Sequence, residues 1–340
     1  MWLFLLNIAC TKYIVDGIVE SYIDYSKWDD GNIHIVFGGT GTLSSDTRAG
    51  SSVAVVISSN VFIFDTGPGS TRNLLQHDVP LQRSKNIFIS HLHSDHYGDL
   101  GEFSIASEIF GRQQGLIIHG PTGTTQMVDG FAQAYQQDHS FRKAQHPDFM
   151  QTETSLFQTI ELHDPKDSDM EGLLLSKEQG TEILALDNVH ISALLVQHEP
   201  VAPAISYRID YKGRSVVISG DTAFAPTLAD FAQGADILIH EAMDKEFGIQ
   251  LSESFEEHGD HRKAEMILES MSNHSTPDEA GKIAKMAGVE HLVLTHISPP
   301  LKLPHSTWVF QNKSKKHYSG QVSIAQDGLH LTLDVTDSQK

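Results

Sequence analysis

The sequence predicts an α/β sandwich, and three observations lead to this fold class. Short segments rich in Val, Ile and Leu recur along the 340 residues, and they end in Gly, Pro, Asp or His. Helical patterns lie between several of these segments, as in folds that alternate strands with helices. Side chains of the His and Asp types directly follow several predicted strands, which is typical of sites at the edge of a layered α/β fold.

Ten segments are predicted to be β-strands, because branched and aromatic residues favour the pleated surface of a sheet. They span residues 33–37, 52–58, 61–65, 87–90, 116–119, 189–197, 215–219, 236–240, 291–295 and 328–334. Strands that alternate with helical patterns in this way favour sheets packed against helices.

The clearest helix is predicted over residues 276–287. Thr276 and Glu279 fit a capping box, Pro277 fits the first helical position, and Gly288 fits the stop signal. The apolar residues between these signals recur at helical spacing and form one stripe, at Ala280, Ile283, Ala284 and Ala287.

Residues 31–340 are predicted to form one domain, because no linker rich in Pro and Gly divides the chain. Two stretches, about 137–179 and 244–275, are predicted to be insertions into this domain. The first is polar with little periodicity, and the second is acidic and then helical from residue 261 to 271. Residues 1–30 are predicted to be a leader or anchor remnant followed by a connecting segment.

The first ten residues are apolar but too few to span a bilayer, which needs about 20 residues. They are similar to the hydrophobic part of a signal peptide, although the basic leader is missing. The alternative is a strand or helix end that packs on the core. We favour the remnant, because the run borders a polar stretch without an evident partner. A periplasmic, secreted or membrane-anchored location is therefore favoured over a cytoplasmic one, and the localisation otherwise stays open.

The composition excludes several classes of function. There are 24 Lys and Arg residues against 44 Asp and Glu residues, which gives a formal charge of −20, so the surface repels phosphate backbones. One cysteine excludes both a disulfide framework and a cysteine-based zinc cluster. Twenty histidines are present, and imidazole is the commonest metal ligand among side chains. Four of those in the two stretches are predicted to lie on the surface, namely His139, His146, His258 and His261.

A cluster of metal-ligand residue types directly follows the fourth predicted strand. His91, His93, Asp95 and His96 occupy four of six positions. Alternate residues of an extended turn point the same way, so His91 and His93 can bind one ion while Asp95 and His96 turn toward a second. The alternative is a solvated loop with histidines by chance, which a cluster this dense makes the weaker interpretation. Other strand ends carry Asp65, His198, Asp221, His240 and His296.

This constellation resembles the metallo-β-lactamase superfamily from about residue 33 to residue 334. The H-x-H-x-D-H signature stands at residues 91–96, and the remaining motif residues follow the family order. The resemblance implies a four-layer αββα sandwich with inserted segments and a dinuclear metal centre. It implies that one ion is held by His91, His93 and His198. It implies that the second is held by Asp95, His96 and His296, with Asp221 as the bridge and Asp65 orienting the ligand loop.

Within the superfamily, the chain is most similar to the ribonuclease-Z-like branch, which includes arylsulfatase-type members. The resemblance rests on His240 and Glu241 after a strand, and on His274 with the Ser and Thr that follow it before the capped helix. It implies that His274 acts on the leaving group or the developing oxyanion, with His240 and Glu241 in support. For these last two, a structural hydrogen-bonding pair is an equal alternative. Asp95 is expected to take part in catalysis as well as to bind a metal ion.

One departure from the branch bears on the substrate. Members that process tRNA carry a long basic arm before the strand leading to the bridging aspartate, whereas here residues 207–214 run almost directly into that strand. Together with the charge of −20, this predicts that tRNA is not the substrate. The resemblance then implies a metal-dependent hydrolase of small anionic esters with two divalent ions, preferably Zn²⁺.

The favoured reaction is arylsulfatase-like hydrolysis of a sulfate ester by a metal-bound hydroxide. The alternatives are a phosphodiesterase or ribonuclease-Z-like endonuclease of the same fold, a lactonase, a redox di-iron protein and a metal-binding module without turnover. A membrane or an export system as a further partner through the N-terminal segment is left open, and so is a homodimer.

Residues 38–42 form a Gly-rich segment with the order Gly-Gly-Thr-Gly-Thr. It lacks the lysine of a phosphate-binding loop and the full dinucleotide fingerprint. We therefore predict a tight turn that lines the site, with backbone N–H groups available to an anionic substrate.

Overall fold

Two mixed β-sheets lie face to face in this computed structural model, which describes residues 11–17, 19, 24–148, 150, 157–167, 172–300 and 306–335. The first sheet has eight strands in the order β15-β1-β2-β3-β4-β5-β6-β7. The second has seven strands in the order β14-β13-β12-β11-β10-β9-β8. In each sheet the antiparallel pairs lie on one side and the parallel pairs on the other, so several strand ends meet at one edge.

The strands of the first sheet come from the first half of the chain and from its end. They are β1 (Ile33–Gly39), β2 (Ser52–Ile57), β3 (Asn60–Phe64), β4 (Ser84–Phe88), β5 (Leu116–Pro121), β6 (Phe157–His163), β7 (Leu173–Leu174) and β15 (His330–Leu333). The strands of the second sheet are β8 (Thr181–Leu186), β9 (Val189–Val196), β10 (Ala204–Tyr211), β11 (Arg214–Ile218), β12 (Ile237–Met243), β13 (His291–Ser298) and β14 (Gln321–Ile324).

Helices connect the strands. The first, α1, covers residues 11–17. The others are α2 (Ser70–Gln76), α3 (Ser94–Tyr97), α4 (Leu100–Ile109), α5 (Thr124–Gln145), α6 (Pro226–Phe231), α7 (Lys245–Glu257), α8 (His261–Ser270), α9 (Pro277–Ala287) and α10 (Ser306–Lys315).

Three apolar clusters define four layers. The central cluster fills the space between the sheets and includes Phe62, Phe88, Tyr207, Ile209 and Val293. A second covers the outer face of the first sheet with residues of α2, α4 and α5, and a third covers the outer face of the second sheet with residues of α6, α9 and α10. Full burial of one such large side chain is worth about 1.5–3 kcal/mol. The predicted α/β sandwich with αββα layers is thus confirmed.

All ten predicted strands are present, and each begins and ends within three residues of its predicted bounds. Five further strands were not predicted, namely β6, β7, β8, β10 and β14. In β10 the apolar residues Ile205, Tyr207, Ile209 and Tyr211 alternate with polar ones, so the period-two pattern could have revealed it. Its polar side chains make the segment look like a loop when only apolar runs are counted.

The two stretches expected to be insertions have defined structure. Within 137–179, the end of α5 is followed by β6 and β7, which extend the first sheet. The surface prediction for His139 is wrong, because this side chain is 2% exposed and its Nε2 lies 3.3 Å from Glu108 Oε2. Within 244–275, α7 and α8 pack together as a helical pair between β12 and α9, and the predicted helix beginning at residue 261 is confirmed as α8.

The apolar residues 1–10, which carry the leader prediction, lie outside the described residues. The side chains of Tyr13, Ile14 and Val15 in α1 are exposed. Within the described parts of the chain, no helix has both the length and the apolar character needed to cross a membrane.

The predicted capping box of α9 is confirmed. Thr276 Oγ1 accepts a hydrogen bond from Glu279 N at 3.1 Å, and Glu279 Oε2 accepts one from Thr276 N at 2.8 Å. Replacing Thr276 by Ala is expected to lower the free energy of unfolding by about 1 kcal/mol, because one partly buried helix donor loses its partner. Thr125→Ala, at an exposed threonine of α5, is the control and should change it by less than about 0.5 kcal/mol in the same chemical denaturation experiment. Equal losses in both variants would contradict the role of the cap.

Candidate metal centre

Six strands deliver polar side chains to one edge of the sandwich. Asp65 follows β3, His198 follows β9, and Asp221 follows β11, while His296 lies near the end of β13. The loop after β4 carries the four ligand-type residues between positions 91 and 96, and Glu241 lies on β12. Parallel strands with the same direction bring their carboxyl ends together, and that topology assembles the site from distant parts of the sequence.

One group of ligand atoms brings together His91, His93, His198 and Asp221, all within 4.8 Å of one another. His91 Nε2 lies 2.9 Å from His93 Nδ1, and His198 Nε2 lies 3.4 Å from the same atom. Asp221 Oδ2 lies 3.9 Å from both His91 Nε2 and His198 Nε2. His93 is the exposed member of this group and the other three are buried. The arrangement therefore opens to solvent on the His93 side.

A second group contains Asp95, His96 and His296, all buried and again within 4.8 Å. His96 Nε2 lies 3.3 Å from His296 Nε2, which lies 3.4 Å from Asp95 Oδ2. Asp221 contacts this group as well, because its Oδ2 lies 3.4 Å from His96 Nε2 and its Oδ1 lies 3.3 Å from His296 Nδ1. Asp221 thus stands between the two groups.

Hydrogen bonds on the far side of two imidazoles orient them. Asp65 Oδ2 accepts from His96 Nδ1 at 2.7 Å and from Ser90 Oγ at 2.8 Å, while its Oδ1 accepts from Ser90 N at 2.7 Å. His198 Nδ1 donates to the carbonyl oxygen of Asn273 at 2.8 Å. Because Nδ1 carries the proton in each ring, the Nε2 lone pair is free to point into the site.

A β-bulge turns His296 toward the site. In the pairing of β12 with β13, Glu241 is opposite Thr295 and Ala242 is opposite Ile297, so His296 is the extra residue. Its φ is +46°, in the left-handed region that side chains other than Gly seldom adopt. A bulge redirects a side chain that the regular pleat would place on the other face. This local irregularity is what completes the second group.

The pKa values of the ionisable side chains at the site shift in different directions. Burial, aided by His96, lowers the pKa of His91 well below its ordinary value, and burial also lowers the pKa of His198. Burial acts in the same direction on His96, but the carboxylates of Asp221 and Asp65 outweigh it and raise its pKa well above the ordinary value. Burial opposes ionisation of Asp221, yet His296 and His96 hold its pKa well below its usual range. A neutral imidazole and an ionised carboxylate are the forms that bind metals, so His91, His198 and Asp221 are already in that form, whereas His96 would release a proton when a metal binds.

His274 and Glu241 form a pair beside Asp221. His274 Nδ1 donates to Glu241 Oε1 at 3.0 Å, and the same oxygen accepts from Thr222 N at 3.1 Å and from Ser275 N at 3.0 Å. His274 Nδ1 also lies 4.0 Å from Asp221 Oδ2. Burial would lower the pKa of His274, but Glu241 and Asp221 outweigh it and raise this pKa to about 9. The ring is therefore protonated at neutral pH and held by a buried carboxylate.

His240 does not join these groups. It precedes Glu241 on β12, and adjacent residues of a strand point to opposite faces. Its Nδ1 donates to the carbonyl oxygen of Glu241 at 2.7 Å, and Glu279 of α9 is among the charges acting on it. The structure thus places Glu241 at the site and directs the ring of His240 toward the helix side of the sheet.

The nitrogen and oxygen atoms of the site are better arranged to bind two cations than to form hydrogen bonds with one another. Ring nitrogens of different histidines face one another at 2.9–3.4 Å, where at most one of each pair can donate a hydrogen. Asp221 Oδ1 and His296 Nδ1 are buried without a hydrogen-bond partner among the described residues. Imidazole and carboxylate ligands without thiolates suit Zn²⁺ and similar divalent ions. Such an arrangement can bind and activate an anionic ester for hydrolysis.

Leu43 is a contact of the site that sequence reasoning missed. Its backbone N–H donates to Asp95 Oδ2 at 2.9 Å, while its side chain is 73% exposed. The turn predicted over residues 38–42 lies at residues 43 and 44 instead, because residues 38 and 39 continue β1. The glycines mark this part of the chain, but a backbone N–H has no sequence signature of its own. We predicted that such N–H groups would meet a substrate, whereas this one holds a ligand-type carboxylate.

Comparisons with known proteins agree with this architecture. The sequence model of the beta-lactamase superfamily domain matches residues 60–297. A ribonuclease Z of Mycobacterium sp. (strain KMS) is 31% identical over 300 residues, which are 87% of this chain and 94% of that protein. The crystal structure of human tRNase Z, short form, has a TM-score of 0.63 at 22% identity, covering 88% of this chain and 99% of that one.

The metallo-beta-lactamase fold protein YhfI from Bacillus subtilis is similar in the same way. It has a TM-score of 0.61 at 20% identity, covering 89% of this chain and 100% of that one. At these identities the two crystal structures show a shared fold, whereas the ribonuclease Z of Mycobacterium is similar in sequence over nearly its full length.

Proposed function

The chain belongs to the beta-lactamase superfamily, and from this premise we propose that it is a dinuclear metal-dependent phosphodiesterase. The observation that carries the proposal is the convergence of two ligand groups on Asp221 beside the His274–Glu241 pair. A metal-dependent hydrolase follows from the family and the site. The more specific part of the proposal is that the bond cleaved is a phosphodiester, and relatives that are ribonucleases Z support it.

The ligands are proposed as the sequence implied. His91, His93 and His198 would hold one ion, while Asp95, His96 and His296 would hold the other. Asp221 would bridge them, and Asp65 would keep His96 oriented through its Nδ1 proton. We propose Zn²⁺, because nitrogen and oxygen donors in a buried site suit it. When bound, the two ions would make hydroxide available at neutral pH and offset the negative charge of the ester.

His274 is proposed to be the general acid. Its Nδ1 proton is held by Glu241 Oε1, so the proton on Nε2 is the one available to a departing oxygen. Glu241 is itself fixed by backbone N–H groups of Thr222 and Ser275, which keeps the acid in one orientation. His274 is only partly buried, with 13% of its side chain exposed, and this leaves it reachable from the site opening.

A small phosphodiester is proposed in preference to tRNA. Only Lys212 and Gly213 connect β10 to β11, with positive φ values of +47° and +81°, so the hairpin turn is tight. A basic arm at this point would need many more residues. The net charge of −20 also opposes the approach of a polyanion. The paired cations would supply the local positive field that a small anionic ester needs.

The sequence favoured an arylsulfatase, and we propose the alternative, a phosphodiesterase, in its place. The ribonuclease Z of Mycobacterium supports a phosphoester bond, and nothing in the donor set selects sulfur over phosphorus. Both tetrahedral anions would present the same kind of oxygen atoms to the two ions, so the choice between them depends on an activity measurement.

The test is a panel of substrates on one purified, Zn²⁺-loaded sample. We expect hydrolysis of bis(p-nitrophenyl) phosphate with a kcat/KM at least about tenfold above that for p-nitrophenyl sulfate, a difference of about 1.4 kcal/mol in transition-state free energy. A precursor tRNA with a 3′ trailer should remain uncut at the same enzyme concentration. A preference for the sulfate ester would contradict the phosphodiesterase proposal, and efficient trimming of the precursor would contradict the small-substrate proposal.

A further inference from the structure

The loop of residues 40–50 between β1 and β2 lies against the second ligand group. Leu43 N donates to Asp95 Oδ2 at 2.9 Å, and the carbonyl oxygen of Thr40 accepts from Ile297 N at 3.1 Å. The first contact holds a ligand-type carboxylate, and the second holds the residue that follows His296. The position of this loop is thus tied to two members of the group.

Asp327, in the turn between β14 and β15, is the anchor of this loop. Its Oδ1 accepts from Thr40 N at 3.0 Å and from Thr40 Oγ1 at 2.7 Å. Its Oδ2 accepts from Ala49 N at 2.7 Å and from Asn73 Nδ2 at 3.1 Å. One carboxylate therefore holds both ends of the loop and a residue of α2, and it does so across 287 residues of sequence.

Arg48 reinforces the same junction. Its Nη1 donates to Thr40 Oγ1 at 2.7 Å and to the carbonyl oxygen of Ala325 at 2.6 Å. Asp327 is the anion that acts on the guanidinium of Arg48. The loop is therefore closed by hydrogen bonds from a guanidinium and to a carboxylate as well as by backbone bonds, and such charge-assisted hydrogen bonds are stronger than neutral ones.

The two ends of the loop also pack too tightly to move independently. A Cβ atom placed on Gly39 would lie 1.7 Å from the carbonyl oxygen of Gly50. Gly41 N donates to the carbonyl oxygen of Ala49 at 2.8 Å. The hydrogen bonds to Thr40 and Ala49 therefore fix both ends of the loop that carries Leu43.

We propose that Asp327 is a positioning residue for the metal centre, acting through the loop on Asp95 and so on the group of Asp95, His96 and His296. The inference rests on the metal assignment made under the proposed function, but it does not depend on which ester is cleaved. Both Asp327 and the loop lie outside residues 60–297, the part of the chain that matches the family model.

The experiment measures metal binding in the absence of substrate. Metal-free protein is titrated with Zn²⁺ against a chromophoric chelator, and two dissociation constants are fitted. In Asp327→Asn, the new amide group cannot accept the hydrogen bonds that one carboxylate oxygen accepts, so the loop loosens. We expect one of the two ions to bind about 10- to 100-fold more weakly, the usual effect of losing an outer partner of a ligand, while the other binds within about twofold of wild type.

Two further variants test the route through Leu43. Leu43→Pro removes the N–H that Asp95 accepts and should weaken the same ion as Asp327→Asn. Leu43→Ala keeps that N–H and should leave both constants unchanged. The double variant Asp327→Asn with Leu43→Pro should lose less than the product of the two single losses, because both act on one contact.

Asp236→Asn is the matched control for a purely structural effect. Asp236 is a buried aspartate that accepts from Ser215 N at 2.7 Å and from Arg214 Nη1 at 2.7 Å, at the start of β12 and far from the strand ends that carry the site. The variant Asp236→Asn should lower the thermal midpoint of unfolding without changing either Zn²⁺ dissociation constant. Unchanged constants in both Asp327→Asn and Leu43→Pro, measured below their thermal midpoints, would overturn the proposal.

The same titration separates this proposal from the proposed function. A wild-type protein that binds fewer than two ions would contradict the metal assignment, and the positioning role would fail with it. A wild-type protein that binds two ions but spares phosphodiesters would contradict only the proposed substrate, since the Asp327 comparison would still be valid.

Discussion

Replacing Asp221 by Ala is expected to abolish both metal binding and turnover. Its Oδ2 lies within 3.9 Å of ring nitrogens of His91, His96 and His198, and its Oδ1 lies 3.3 Å from His296 Nδ1. Asp221 is thus a carboxylate whose oxygens lie close to imidazoles of both groups. Because both proposed sites lose a charged ligand at once, we expect each dissociation constant to rise by more than about 100-fold, beyond the usual cost of an outer partner.

The measurement is metal content after dialysis, together with the Zn²⁺ titration and the rate on bis(p-nitrophenyl) phosphate. Asp210→Ala is the matched control, because Asp210 is a half-exposed aspartate of β10 that pairs with Arg208. It should retain two ions and full activity. If Asp221→Ala kept two ions with wild-type affinity, the dinuclear assignment would be wrong.

Replacing His274 by Ala is expected to leave both ions bound and to lower kcat by about 10²- to 10⁴-fold, the usual contribution of a general acid or base. The ring stands 4.0 Å from Asp221 Oδ2 and 3.0 Å from Glu241 Oε1, so its removal deletes a proton donor without removing a proposed ligand. Its pKa, raised to about 9 by Glu241 and Asp221 against the effect of burial, keeps the donor charged at neutral pH.

The loss should depend on the leaving group. Aryl phosphodiesters with poor leaving groups need the proton and should lose most, whereas activated ones should lose little, so a plot of log kcat against leaving-group pKa should become steeper in the variant. His190→Ala, at an exposed histidine that pairs with Glu182, is the control and should match wild type. Equal rates for wild type and His274→Ala on poor and activated esters alike would rule out the acid role.

Local patterns in the sequence predicted much of the fold. Ten strands and the capped helix α9 follow from apolar runs and end signals, which depend on residues close together in the chain. β10 and α5 escaped notice because their polar residues mask a weak pattern. The burial of His139 against Glu108 could not be predicted either, since a polar helix gives no sign of which neighbour will cover it.

Some features of the candidate site could likewise be predicted from the sequence, whereas others could not. The cluster at residues 91–96 is local, and its chemistry is legible from residue types alone. The separation of His240 from Glu241 follows from strand alternation and could have been derived once β12 was drawn. The roles of Leu43 and Asp327 could not be derived from the sequence, because a backbone N–H carries no sequence signature and its partner lies far along the chain.

By itself, the sequence determined the layered α/β class and the inventory of imidazoles and carboxylates at strand ends. Only the tertiary structure decided that Asp221 stands between both groups, that a bulge turns His296 inward, and that Asp327 clamps the loop that reaches Asp95. The reason is that strand order, register and bulges arise from contacts between residues tens to hundreds of positions apart, and side-chain direction at the site follows from them.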